Sequence, residues 1–170
     1  SVLSKKISAG ATHVVLDLPV GPTAKLRSPT DAHHLTSALR SVAGAMGLQV
    51  RVILTDGTQP VGRGIGPALE AHDILAVLRN DPSAPQDLRE RAVHLAASLL
   101  ELVLQYSSRD ALAKARAALD DGGAWRKFEA ICQAQGGLRE PPVAAHMHPV
   151  LAAHSGKVVN IDNRVLAKIA

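Results

Sequence analysis

The chain has 170 residues, enough for one domain with a hydrophobic core and too few for two large ones. Hydrophobic residues make up 46% and charged residues 20%, a balance that excludes a disordered protein. The net charge of +4 invites a nucleic-acid partner, but the basic residues are scattered. Only Tyr106, Trp125 and Phe128 could stack on bases, so no nucleic-acid partner is expected.

Membrane and secretory features are not evident in the sequence. No apolar run approaches the roughly 20 residues that a membrane-spanning helix needs, and no signal-peptide pattern begins the chain. Cys132 is the single cysteine, which excludes an internal disulfide and indicates a structural residue in an apolar helical context. We therefore expect a cytoplasmic protein without a membrane partner.

The first third of the chain alternates between helix and strand. A helix is predicted over residues 2–8, and residues 13–20 are β-rich and nearly continuously apolar, as in a parallel strand that is covered on both faces. Ser28 or Thr30 can cap a helix that runs to about residue 46, and a second buried strand follows over residues 48–54. This order predicts a parallel strand–helix–strand unit.

The remainder is mainly helical. After a glycine-rich loop, helices are predicted over residues 68–78, 86–106, 107–120 and 124–135. Residues 148–153 and 157–161, joined through Ser155 and Gly156, predict a β-hairpin, and the segment from residue 162 is helical again. The predicted fold class is α/β, with a mostly parallel sheet, flanking helices and a C-terminal hairpin.

Two groups of polar residues could bind a substrate. Ser1 and Lys5 lie four apart on a helix, so they share one face and could hydrogen-bond a pyrimidine edge, although a solvated helix end also fits. Lys25 follows the first strand, where ligands gather in open α/β sheets and where it could meet an anion. An exposed lysine in an ordinary loop is the alternative.

Other polar residues leave two interpretations open. Gly64 and Gly66 precede a helix that opens at Pro67, which resembles a phosphate cradle, but a tight structural turn fits as well. Asp17, inside an apolar strand, is either a satisfied carboxylate or part of a site. The histidines lack a third ligand at a suitable spacing, so no transition-metal site is expected.

Three motifs occur in one order: SVLSKKISAG at residues 1–10, VVLDLPVGPTAK at residues 14–25, and TDGTQPVGRGIGPALE at residues 55–70. Their order and spacing resemble the thymidine phosphorylase family, which includes pyrimidine-nucleoside phosphorylases and AMP phosphorylase. The resemblance extends over the whole chain. It implies a pentosyltransferase that uses inorganic phosphate to release the free base from a nucleoside or a nucleoside 5′-monophosphate.

The resemblance also implies site residues. Ser1 and Lys5 match residues that bind the base, and Lys25 matches a lysine near the 5′-phosphate of nucleotide substrates, which favours a monophosphate. Val61 and Gly64, through backbone carbonyls, and Asp73 match a monovalent-cation site, although relatives have glutamate at the last position. No other cofactor is implied.

The resemblance finally implies that the sequence is part of a longer protein. Residues 1–10 would be a remnant of a helical domain, and residues 11–170 an incomplete phosphorylase α/β domain. The catalytic acid and the phosphate loop would precede Ser1, so no catalytic residue is expected in this stretch, which would be inactive alone. The intact protein would be a homodimer. The alternative is a non-catalytic nucleotide-binding module on the same scaffold.

Overall fold

The computed structural model describes residues 2–170. Within this range the chain forms seven helices and two strands and confirms the predicted α/β class. In chain order they are α1 (Val2–Ser8), β1 (His13–Val20), α2 (Pro29–Ala45), β2 (Gln49–Asp56), α3 (Pro67–Leu78), α4 (Gln86–Leu104), α5 (Ser108–Asp120), α6 (Gly123–Ala134) and α7 (Asn163–Ile169). No helix in the described range is long and apolar enough to cross a membrane.

The sheet consists of β1 and β2, which pair in parallel from His13 opposite Gln49 to Val20 opposite Asp56. Helix α2 makes the crossover between them, as the sequence predicts. Its N-terminus is capped by Ser28, whose Oγ accepts a hydrogen bond from Asp31 N at 3.1 Å, so the cap is Ser28 and not Thr30. Parallel pairing places the carboxyl ends of both strands at one edge of the molecule.

Two hydrophobic clusters stabilise the fold. One lies between α3, α4 and α5 and has Val93 and Ala111 at its centre. The other lies under α1, α2 and the sheet and includes Leu3, Leu16 and Ala43. Helix α4 contributes to the first cluster and also contacts β1. It therefore links the helical part to the strands.

The predicted C-terminal hairpin is wrong. Residues 148–153 and 157–161 contain no strand, and Val150 and Val159 are 90% and 92% exposed. Two isolated strands gain little stability unless another element covers their apolar face, and in the described chain none does. Gly156 also lacks the positive φ that the tightest hairpin turns require.

Candidate functional site

Lys25 lines a cavity of about 330 Å³ at the carboxyl ends of β1 and β2. The chain turns sharply after β1, because Gly21 N donates to Leu26 O at 3.0 Å and Ala24 N donates to Gly21 O at 3.0 Å. This turn keeps Lys25 beside the strand end that it follows. The other lining residues are Pro19, Ala24, Asp56, Gly57, Gln59, Val61, Arg91 and Asn163.

The loops that follow β1 and β2 are in close contact at two glycines, Gly21 and Gly57. A Cβ on Gly21 would lie 2.6 Å from the carbonyl carbon and oxygen of Gly57, far inside van der Waals contact. Gly57 N also donates to Val20 O at 2.9 Å. The two strand ends therefore approach each other only because neither position carries a side chain.

Arg91 reaches this cavity from α4 and is held by two residues of the sheet. Its Nε donates to Asp17 Oδ2 at 3.0 Å and its Nη2 to Asp17 Oδ1 at 3.4 Å. Thr55 Oγ1 donates to Asp17 Oδ1 at 2.5 Å and also contacts Arg91 Nη2. Asp17 is thus a satisfied, half-buried carboxylate, the first of the two interpretations that its sequence position left open.

Asp56 is the acidic residue of the cavity lining. Hydrogen bonds from the backbone and side chain of Thr58 hold the pKa of the Asp56 carboxyl below its ordinary value, and the Thr58 N to Oδ1 distance is 2.8 Å. Asp56 is therefore ionised at neutral pH. The lining carries two positive charges, on Lys25 and Arg91, against this single negative one.

The C-terminal segment closes one side of the cavity. Gln59 donates to Asn160 Oδ1 at 2.8 Å and accepts from Ile161 N at 2.9 Å. Asn163 Nδ2 donates to Gly57 O at 3.1 Å, while its Oδ1 is buried and has no hydrogen-bond partner in the described residues. A buried acceptor of this kind is costly unless a donor reaches it.

The glycine-rich loop is a structural turn and not a phosphate cradle. Its backbone N–H groups already bind the chain's own carboxylates: Gly62 N binds Asp87, Arg63 N and Gly64 N bind Asp73, and Gly66 N binds Glu70, at 2.6 to 3.0 Å. A phosphate would have to displace three carboxylates. The cradle interpretation of Gly64 and Gly66 is therefore not supported.

The predicted cation ligands Val61, Gly64 and Asp73 line one cavity of about 340 Å³. Asp73 Oδ2 accepts from the N–H groups of Arg63 and Gly64 at 2.6 and 2.7 Å, which fixes its carboxylate against the loop. Carbonyl and carboxylate oxygens are the donors that hard cations prefer, so the donor types fit such an ion.

Ser1 and Lys5 are the residues that the resemblance predicts to bind the base. Ser1 lies outside the described residues. Lys5 is exposed on α1 and is not among the residues that line the Lys25 cavity. The structure therefore brings Lys25 together with Arg91 and Asn163, which the sequence analysis did not single out. Both lie far along the chain from Lys25 and carry no local motif.

The chain is similar over its whole length to three proteins that are each named "Putative thymidine phosphorylase". It is 58% identical to the one from Chelativorans sp. (strain BNC1), 56% to that of Parvibaculum lavamentivorans and 55% to that of Tolumonas auensis. It covers 33% to 34% of each, so it spans about a third of the length of these relatives. No family model matches the chain.

Identity above 50% over all 170 residues reflects common ancestry. The chain is therefore homologous to these relatives, as the three motifs predicted.

Proposed function

We propose that this chain forms part of a phosphorolytic pentosyltransferase that acts on a nucleoside 5′-monophosphate. In the reaction a phosphate oxygen bonds to the anomeric carbon, the C–N glycosidic bond breaks, and the base leaves with the electron pair. The products are the free base and ribose 1,5-bisphosphate, or (deoxy)ribose 1-phosphate from a nucleoside. The names of the homologues support the reaction class.

The observation that carries the substrate proposal is the position of Lys25 in a cavity at the carboxyl ends of two parallel strands. A 5′-phosphate has close to two negative charges near neutral pH, whereas a nucleoside offers only a hydroxyl at the same place. A charge-assisted hydrogen bond from Lys25 would favour the monophosphate by about 1.5 to 3 kcal/mol. That is about a ten- to hundredfold preference.

Further parts of the proposal follow from the resemblance. Ser1 and Lys5 bind the base, and Val61, Gly64 and Asp73 hold a monovalent cation that orders the loop after β2. Residues 1–10 belong to a helical domain and residues 11–170 to an α/β domain. The groups that bind phosphate and protonate the base come from outside this stretch, and the full-length protein is a homodimer.

The test is base release by the full-length protein, measured with and without phosphate on a panel of nucleosides and nucleoside 5′-monophosphates. Phosphate-dependent release of base from monophosphates is expected. A Lys25→Ala variant should lose activity on monophosphates about ten- to hundredfold and on nucleosides much less. Equal loss on both substrates would remove Lys25 from phosphate binding. Tight binding of a monophosphate without any release would favour a non-catalytic nucleotide-binding module.

A further inference from the structure

We propose that Arg91 is a second anion-binding residue of the Lys25 cavity and contacts the 5′-phosphate together with Lys25. This inference rests on the proposed function for the identity of the substrate. It assigns a role to a residue of α4, a helix to which no sequence motif assigns a substrate contact.

The position of Arg91 supports this role. Arg91 lines the Lys25 cavity and also an adjoining cavity of about 530 Å³, whose lining includes His94, Leu95 and Ser98. The two cavities share four residues, which are Asp56, Gln59, Val61 and Arg91. The guanidinium group therefore stands where the two spaces meet. A ligand that extends from one cavity into the other would lie beside the residues that the two share, and Arg91 is the one with a positive charge.

Arg91 is also preorganised for such a contact. Asp17 binds the edge of the guanidinium formed by Nε and Nη2, and Thr55 contacts Nη2. Nη1 has no hydrogen bond to the described residues, so its donors remain for a ligand. Because the side chain is already fixed, little rotamer entropy is lost when a ligand binds, and a planar fork of donors suits phosphate oxygens.

The charge of Arg91 also favours an anion. Asp56 is ionised and lines the Lys25 cavity, so without Arg91 the lining would carry one positive and one negative charge. Such a balanced lining attracts a dianion less strongly than a lining with a net positive charge. With Arg91 the lining carries a net positive charge, and Asp17 faces only one edge of the guanidinium. Arg91 therefore adds to the preference for an anion that Lys25 provides.

A purely structural role for Arg91, which ties α4 to the sheet, is the competing explanation. Arg89 offers a matched control on the same helix. It pairs with Asp120 and Glu90, has a similarly buried side chain and lines neither cavity. A substitution of Arg89 removes an ion pair of α4 only, whereas a substitution of Arg91 also removes a positively charged side chain from the cavity. The two effects can therefore be separated.

The experiment compares Arg91→Gln, Arg91→Lys and the control Arg89→Gln in the full-length protein. The kcat/KM is measured for one nucleoside 5′-monophosphate and for the corresponding nucleoside. For Arg91→Gln we expect about a ten- to hundredfold loss on the monophosphate and less than about threefold on the nucleoside. Arg91→Lys keeps the charge and should recover part of the loss, while Arg89→Gln should change the two substrates equally.

Equal losses on both substrates, or no loss on the monophosphate, would overturn the proposal. Activity on the nucleoside reports whether the Arg91→Gln variant is folded. If this variant is not folded, the ratio of the two kcat/KM values of Arg91→Lys tests the role of Arg91 in its place. If the wild-type protein releases no base at all, the proposed function fails independently. The role of Arg91 is then decided by calorimetric binding of the same monophosphate and nucleoside to wild type, Arg91→Gln and Arg91→Lys. A preference between the two ligands that is unchanged in Arg91→Gln would reject it.

Discussion

Single residues decide how closely the loops of this molecule can approach its helices, and Gly64 is the clearest case. A Cβ at this position would lie 2.3 Å from the carbonyl carbon and oxygen of Leu69 in the first turns of α3. The neighbouring N–H groups bind Asp73, so the loop cannot move away without losing those bonds. Gly64 is therefore explained by packing and does not need a ligand.

We expect Gly64→Ala to lower the free energy of unfolding by about 1 to 3 kcal/mol, because backbone atoms must shift to admit the methyl group. The matched control is Gly44→Ala in the last turn of α2. An added Cβ there meets no atom within 4 Å, so up to about 1 kcal/mol of stabilisation is expected. Urea unfolding of both variants measures the two free energies of unfolding. Equal changes in the two variants would contradict the close contact at Gly64.

At the scale of elements, α4 organises the structure. Val93 and Ala97 pack between α3 and α5, whereas Arg91 and Glu101 bind residues of the sheet. One helix thus contributes to a hydrophobic cluster with one face and makes ion pairs with another. The site depends on this helix because its arginine must reach the ends of the strands.

Val93→Ala should destabilise the protein by about 1 to 3 kcal/mol, because Val93 is 1% exposed and its removal leaves a cavity. Val103 lies on the same helix and is 44% exposed. The Val103→Ala control should change stability much less, within about 0.5 kcal/mol. Thermal or chemical unfolding measures both, and a similar loss in the two variants would show that α4 packs differently.

Elements whose signal is local could be predicted from the sequence. The strand over residues 13–20 and the capped helix after Ser28 depend on neighbouring residues, and the structure confirms both. The hairpin prediction failed because short apolar segments on either side of a turn form strands only when another surface covers them. Lys25 could be placed at a strand end. Arg91, which lines the same cavity, could not, because an ion pair between residues 17 and 91 leaves no trace in the local sequence.

At the scale of the whole molecule, ion pairs connect the helical cluster to the sheet. Arg51 of β2 binds Glu101 at 2.6 Å and also donates to Ser98 O at 3.3 Å, and Arg91 binds Asp17. These groups are half-buried. The two ion pairs connect α4 to β1 and to β2 at two different positions along the helix. The relative position of the two hydrophobic clusters therefore depends on these ion pairs.

The hydrogen bond from Arg51, with a second from Ser108, lowers the pKa of Glu101 from its ordinary value. A carboxylate with a lowered folded pKa stabilises the fold above its unfolded pKa, about 4.3, and loses that contribution as the pH falls through the folded value. Wild type should therefore exceed Glu101→Gln in stability by a constant amount between pH 7 and 5, and the difference should shrink below about pH 4.

Chemical unfolding at several pH values measures this difference. Glu129→Gln on α6 is the control, since Glu129 is exposed and forms no ion pair with the described residues. A pH dependence that is the same for both variants would show that the pair between Arg51 and Glu101 does not stabilise the fold.

The helical cluster is built largely from alanine: Ala84, Ala97, Ala111 and Ala115 are all buried, with Ala111 at 0% exposure. A methyl group has no rotamers, so these positions cannot adjust to a larger neighbour by rotation. Small side chains on both α4 and α5 let the two helices pack closely, so mutational tolerance is expected to be asymmetric. Trimming these positions removes little, whereas we expect that a larger side chain at Ala97, Ala111 or Ala115 would push α4 aside and thereby move Arg91 relative to the Lys25 cavity.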